Sequence, residues 1–372
     1  MSRAHAGEYR STIEPLDAAG LLLGDQPEPE GERPDRGGVV IVTHAKPDGD
    51  AAGSVIALRE ALRLAGRTAV GVLAPPVTAS LQQLEGAGDL VIWQEGLELD
   101  EPELLVITDT GAWSQVGPLR PFVEARLDKT LIIDHHLSGD IEARWKLIDP
   151  TAAAACELLT ELIGLMAHLR PRKSSPQAGV GPHARPASLL NTRARDALFA
   201  GIASDTGWFR FSNTTARTHR LAAELLDAGT DHAALYALLE QTDAPEKMGL
   251  IARALGSMEL LADGAAAVMV LRDADFAETG ATSEMTERLI DLPQQIASVQ
   301  VVALVTESQT PQGDPQTRIS FRSKPGDQAV NVADLAGHFG GGGHARAAGA
   351  KVDREVDVVL PEVRAAVQTA AD

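Results

Sequence analysis

The sequence predicts an α/β protein with a parallel-sheet N-terminal domain carrying helices on both faces, a helical linker, and a smaller mixed-sheet α/β C-terminal domain. Three observations predict it. From Gly38 onward, short β-branched runs alternate with longer Ala- and Leu-rich segments, the pattern of strand-helix units in a parallel sheet. A chain of 372 residues exceeds the size at which single cores stop growing, so two domains are expected. The chain is 44% hydrophobic yet has no run near the ~20 apolar residues that span a bilayer, so it reads as globular with no membrane partner.

Residues 1–37 end in a Pro/Glu/Asp/Gly-rich stretch, Gln26 to Gly38, which buries too little apolar area to offset its ordering, so a flexible tail is expected. Strands are expected at Val39 to Thr43, Ala69 to Leu73, Leu104 to Thr108 and Thr130 to Ile133, with a helix over Ala51 to Ala65. They belong to a domain spanning residues 38–215. Residues 170–188 read as a mobile insertion between two helices, because Pro171 to Ser188 holds four prolines with Lys, Ser and Gly. A helical connection covers residues 216–262. Strands at Ala265 to Leu271, Val299 to Thr306 and Thr317 to Ser323 then build a last domain, residues 263–372.

With 33 basic and 52 acidic residues, the net charge of −19 opposes binding to long nucleic acid, so any nucleic-acid substrate is expected to be short. The single cysteine, Cys156, excludes an intramolecular disulfide and a thiolate metal cluster. The apolar stretch Leu16 to Leu23 is broken by Asp17 and lacks the basic start of a signal peptide, so a cytoplasmic location is expected.

Three of the strands end in acidic residues or histidine: His44, Asp48 and Asp50 after the first, Asp109 after the third, and Asp134, His135 and His136 after the fourth. The carboxyl ends of parallel strands line one edge of a sheet, so these groups are expected to converge there. Gly201 to Gly207 adds Asp205 after a helical segment. So many carboxylates cannot all stay ionised together without cations, and the cluster therefore implies metal. Carboxylate and imidazole ligands without thiolate suit Mn²⁺, with Mg²⁺ or another divalent ion possible. Two such ions sharing a carboxylate would sit ~3.5–4 Å apart and clamp a phosphoryl group, so phosphoester hydrolysis is the expected reaction. His168, His183, His219 and His232 lack acidic partners and read as structural or exposed, and Trp208, Phe209 and Phe211 read as core beneath the site.

Thr43 to Ser54, Asp109-Thr110, Asp134-His135-His136 and Ser204 to Gly207 resemble, in order, the four motifs of the DHH phosphoesterase family. Phe339 to Gly349 resembles the glycine-rich signature of that family's associated domain. Within the family, Phe321 to Lys324, Asn331 to Ala333 and the Asp275 to Thr282 region are similar to the bacterial nanoRNases and 3′-phosphoadenosine 5′-phosphate phosphatases. The resemblance implies an active site in an interdomain cleft, with His44, Asp48 and Asp109 on a first metal. Asp50, Asp109, His135 and Asp205 would hold a second, making Asp109 the bridge. His136 would face the scissile phosphate; on the residues' own reading Asp134 orients its neighbour. Short RNA oligonucleotides, dinucleotides such as pApA and 3′-phosphoadenosine 5′-phosphate are the implied substrates, and a homodimer the implied assembly.

In the second domain, Arg318, Ser320 and Arg322 share one face of their strand. Arg322, with Gly341, Gly342, Gly343, His344 and Arg346, is expected to grip a base or terminal phosphate, because successive glycines turn backbone N–H groups toward an anion. The rival enzymatic reading is a cyclic di-AMP or linear dinucleotide phosphodiesterase of second-messenger turnover. The non-enzymatic rival is a nucleotide-binding regulator, which would lack one or more of these ligands.

Overall fold

The computed structural model describes residues 9–24, 38–170, 189–326 and 329–371. It divides into two compact units, residues 1–242 and 243–372.

In the first unit, six strands form one parallel sheet: β1 (Val39–Val42), β2 (Ala69–Leu73), β3 (Val91–Ile92), β4 (Leu104–Thr108), β5 (Thr130–Asp134) and β6 (Trp145–Ile148). Their order is β3-β2-β1-β4-β5-β6, which puts the reversal of winding between β1 and β4. The strands read as continuous apolar runs because both faces are covered. Val39, Ile41, Leu104, Val106, Leu131 and Ile133 point into one core, and Val40, Val42, Leu105, Ile107 and Ile132 into the other.

The first core is closed by α1 (Pro15–Leu23), α2 (Gly49–Leu64), α6 (Ala155–Leu169), α7 (Thr192–Asp205), α8 (Ala216–Asp227) and α9 (His232–Glu240). Short helices α3 (Ala79–Gln82), α4 (Trp113–Val116) and α5 (Arg120–Glu124) complete the unit, with Val116 and Val123 in the second core. Gly53 lets α2 approach α7 closely, since a Cβ there would overlap the Ala197 carbonyl.

Two expectations are corrected. Residues 9–24 are not a loose tail: Ala18, Ala19, Leu21 and Leu22 of α1 are buried, with α1 packed on α6. Four apolar residues on one face of α1 are enough to dock it, while Leu16 and Asp17 stay exposed. The acidic stretch from Gln26, up to residue 37, and the expected insertion at 171–188 lie outside the described residues. Nor do residues 216–262 form a separate connection. Ala222, Leu225 and Leu235 of α8 and α9 join the first unit's core, whereas Leu250 and Ala254 of α10 (Pro245–Gly256) join the second's.

The second unit holds β7 (Glu259–Leu261), β8 (Ala266–Leu271), β9 (Val301–Gln309), β10 (Pro315–Ser323), β11 (Gly342–His344) and β12 (Ala347–Val352) in one mixed sheet, order β11-β12-β10-β9-β8-β7. Only β8 and β9 pair in parallel. Helices α12 (Val332–His338) and α13 (Val356–Ala371) cover the face carrying Ile319 and Phe321, and α10 covers the other with α11 (Asp273–Thr279) nearby. Among the described residues no helix is long and apolar enough to cross a membrane.

Candidate metal centre

The carboxyl ends of β1, β4 and β5, the starts of α2 and α6 and the end of α7, which carries Asp205, meet at one place. Thr43 Oγ donates to the Thr108 carbonyl at 2.8 Å, tying the ends of β1 and β4 together. Asp48 caps α2, its Oδ1 accepting from the N–H groups of Asp50 and Ala51, both at 3.0 Å. Asp50, in the first turn of α2, is fully buried and accepts from the backbone N–H of Ala155 at 2.6 Å and Cys156 at 2.9 Å, at the start of α6. That helix N-terminus offers the carboxylate both donors and a favourable dipole. Asp109 follows β4 in the left-handed region, with φ of 60°, a conformation Asp tolerates better than most residues.

Three groups result, each with ligand atoms within 4.8 Å of one another: His44, Asp48 and Asp109; Asp50, His135 and Asp205; and Asp109, His135 and His136. Asp109 stands between the first two. Its Oδ2 lies 3.4 Å from His44 Nε2, and its Oδ1 lies 3.3 Å from His135 Nε2, which is also 3.3 Å from Asp205 Oδ2. The structure thus brings together His44, Asp48, Asp50, Asp109, His135, Asp205 and His136.

Each histidine has its other nitrogen engaged. His44 Nδ1 donates to the Ala45 carbonyl at 3.0 Å and His135 Nδ1 to the Ala152 carbonyl at 3.3 Å, which leaves both Nε2 atoms for a ligand. His136 Nδ1 donates to Asp134 Oδ1 at 2.7 Å. Sequence reasoning missed Tyr9, whose hydroxyl donates to Asp134 Oδ2 at 2.5 Å. Nothing local in a polar N-terminal stretch marks a contact 125 residues away.

The electrostatics are those of a site shaped for cations. Burial pushes Asp50 well up, helped by the charges of Asp109 and Asp205. Burial and the Asp109 and Asp48 charges lift Asp205 to about 7. Burial alone would lower His44, but the carboxylates of Asp109 and Asp48, 3.4 and 3.8 Å from its Nε2, outweigh it and hold the imidazole up at about 11. His135 is likewise held at about 10, burial being outweighed by Asp109, Asp50 and Asp205. Asp109 Oδ1 and His135 Nε2 are both buried without a hydrogen-bond partner, facing one another at 3.3 Å. Two orphaned buried donor atoms of these types fit a divalent cation, and their oxygen and imidazole chemistry suits a metal that takes no thiolate.

The residues expected to contact substrate lie in the second unit. Arg322 Nη1 donates to its neighbour's carbonyl at 3.1 Å, and its Nε lies 3.9 Å from Asp291. Arg346 Nη1 donates to Ser323 Oγ and the Val330 carbonyl, both at 3.4 Å, so it also braces the start of α12. His344 is exposed. The β11–β12 hairpin by itself requires Gly341 and Gly343, where a Cβ would overlap the opposite strand, while a Cβ at Gly342 would meet nothing. Trp208 and Phe209 pack on the first core, but Phe211, read as core, is 56% exposed with its ring across Gly207. The left-handed run Gly207, Trp208, Phe209 turns the first two rings inward and the third outward.

Residues 38–202 match the model of the DHH family, N-terminal domain, and residues 263–371 match the DHHA1 domain. The chain is 30% identical over 336 residues to the bifunctional oligoribonuclease and PAP phosphatase NrnA of Thermus thermophilus, covering 88% of this chain and 90% of that one. It is 28% identical over 335 residues to the protein of the same name from Bacillus subtilis, covering 87% and 93%. Its fold is similar to that of an exopolyphosphatase-related protein from Bacteroides fragilis, with a TM-score of 0.78 over 95% of this chain and 96% of that one at 20% identity. A parallel sheet with its acidic strand ends gathered on Asp109, a second mixed-sheet unit and this kinship along nearly nine-tenths of the sequence together make the chain a member of the DHH phosphoesterase family, with a DHH domain followed by a DHHA1 domain.

Proposed function

We propose that the protein is a two-metal phosphoesterase that hydrolyses very short oligoribonucleotides and 3′-phosphoadenosine 5′-phosphate. The observation that carries the reading is the placement of Asp109 between two ligand groups, with Oδ2 toward His44 and Oδ1 toward His135. His44, Asp48 and Asp109 would hold one ion, and Asp50, Asp109, His135 and Asp205 the other, Mn²⁺ being the best match to this donor set. Bound there, the ions supply a hydroxide at neutral pH and neutralise the phosphoryl oxygens.

The remaining work falls to the chain's own side chains. In hydrolysis a water oxygen bonds to phosphorus, the bond from phosphorus to the leaving ribose oxygen breaks, and that oxygen takes up a proton. His136, anchored through Nδ1 to Asp134, has Nε2 free to give that proton or to balance charge on the phosphoryl group. Asp134 holds the ring in this orientation and is itself held low, its burial outweighed by the hydrogen bond from His136.

The substrate class is supported by the names of the two relatives above and by the net charge of −19, which disfavours long polyanions. In the DHHA1 domain, Arg322 and His344 would contact the base or terminal phosphate, with the glycine backbone presenting N–H groups and the bare Gly342 leaving room. The test is hydrolysis of 3′-phosphoadenosine 5′-phosphate, pApA and cyclic di-AMP by purified protein with Mn²⁺ and with EDTA. Metal-dependent release of AMP from the first two is expected. Turnover confined to cyclic di-AMP and pApA would place the protein in second-messenger turnover, and no turnover would leave a nucleotide-binding regulator.

A further inference from the structure

Tyr9 reaches the DHH motif from a segment that no motif includes. Its hydroxyl donates to Asp134 Oδ2 at 2.5 Å, while Asp134 Oδ1 accepts from His136 Nδ1 at 2.7 Å and from the backbone N–H groups of His135 at 2.8 Å and His136 at 3.3 Å. The fully buried carboxylate is therefore gripped from both sides, by a phenol on one oxygen and by the histidine pair on the other.

The segment that carries Tyr9 is itself fixed. The N–H of Ile148 donates to Ser11 Oγ at 2.8 Å, that of Lys146 to Thr12 Oγ1 at 2.9 Å, and that of Thr12 to the Lys146 carbonyl at 2.7 Å, so residues 11 and 12 lie along the edge strand β6. Just beyond them, α1 docks on α6 through Leu21 and Leu22. The loops after β4 and β5 are shaped around the ring: a Cβ at Gly111 or at Gly139 would overlap Tyr9. Both glycines stand in the stretches that follow Asp109 and His136, so the space for the phenol is built into the site loops.

We propose that Tyr9 is a positioning residue for the hydrolysis proposed above: its hydroxyl fixes the Asp134 carboxylate, and Asp134 in turn fixes the imidazole ring of His136. The proposal rests on that functional reading only for its effect on rate. The geometric part, that the phenol sets the His136 ring through Asp134, stands on hydrogen bonds alone. At metal sites, outer partners that orient a histidine typically cost about 10–100-fold in metal affinity or activity when lost, and the same scale is taken for the ring of His136.

Tyr9→Phe keeps the ring over Gly111 and Gly139 and removes the hydroxyl alone. With pApA and Mn²⁺, kcat is expected to fall by about tenfold with KM within about twofold. In a His136→Ala background the same substitution is expected to change kcat by less than about twofold, because the group it orients is gone. Independently of turnover, proton NMR of protein labelled with ¹⁵N-histidine is expected to show the His136 Nδ1 proton, assigned by its loss in His136→Ala, at a shifted position in Tyr9→Phe. An unmoved resonance, an unchanged kcat, or an equal loss in both backgrounds overturns the proposal and leaves Tyr9 as an anchor of the N-terminal segment. If the native protein turns over no substrate, the functional reading fails, while the resonance still decides whether Tyr9 holds His136.

Discussion

Loading of metal into this site has to displace protons, and their number follows from the geometry. Held at about 11 and about 10, the imidazoles of His44 and His135 both carry a proton near neutral pH in the metal-free protein. A ligand nitrogen must offer its lone pair, so filling both positions releases at least about two protons from the imidazoles, with more from Asp205, held at about 7, and from Asp50, which is pushed well up. Each released proton makes the apparent affinity rise about tenfold per pH unit, so the product of the two binding constants climbs on the order of a hundredfold per unit. The sign is the same for stability. Both imidazoles are raised above their ordinary value, so their contribution to the metal-free fold is complete below about pH 6.5 and is lost as pH rises through about 10 and 11. The metal-free protein should therefore soften with rising pH while the gain in Tm on adding Mn²⁺ grows. Titration calorimetry of Mn²⁺ in buffers of different ionisation enthalpy counts the protons, and His44→Gln should remove about one of them. Affinity that stays flat across about pH 6.5 to 8.5, with no proton released, would refute the assignment of these histidines as ligands.

Asp109→Asn, which the left-handed backbone at this position tolerates, should lower hydrolysis by more than about a thousandfold, because it removes the carboxylate that both ions would share; retained activity would sink the bridging role. Leu22→Ala should cost about 3 kcal/mol in urea unfolding, because the side chain is fully buried against the first core; a loss under about 0.5 kcal/mol would mean that α1 does not belong to it. Arg322→Ala should raise KM for pApA several-fold more than for bis-p-nitrophenyl phosphate, which has no base to hold, and equal effects on the two would count against a substrate contact.

Strands buried on both faces were the legible part of the fold. β2 and β4 coincide with their expected ranges, and β1 and β5 end within one residue of theirs, since an unbroken apolar run has few alternatives. β3, two residues long, and β6, which begins with Trp145 and Lys146, carry no such run and were not foreseen. The amphipathic pattern of α8 to α10 was readable, but periodicity does not say which core an apolar face covers, so Leu225 and Leu250 had to be seen in place before they could be assigned to different units. For α1 the difficulty was its neighbourhood: a short apolar face beside an acidic, proline-rich stretch reads as part of it.

The convergence of His44, Asp109 and His135 was readable for a topological reason, because parallel strands bring their carboxyl ends to one edge. Helix ends were harder. Asp50 is set by the N-terminus of α6, and neither that helix start nor its two donated hydrogen bonds leaves a mark in the sequence around Asp50. The glycine run shows the opposite limit: its composition was plain, but only the register of β11 on β12 separates Gly341 and Gly343, required by the hairpin, from Gly342, which the hairpin does not require.

The most direct test of the whole account is the dependence of Mn²⁺-supported hydrolysis on RNA length. With RNAs from two to about twenty-four nucleotides, kcat/KM should be highest for the dinucleotide and fall steeply with each added residue, as an acidic surface and a site for one or two nucleotides require. Equal or faster cleavage of the longest RNA, or no cleavage of any length with any divalent metal, would contradict it.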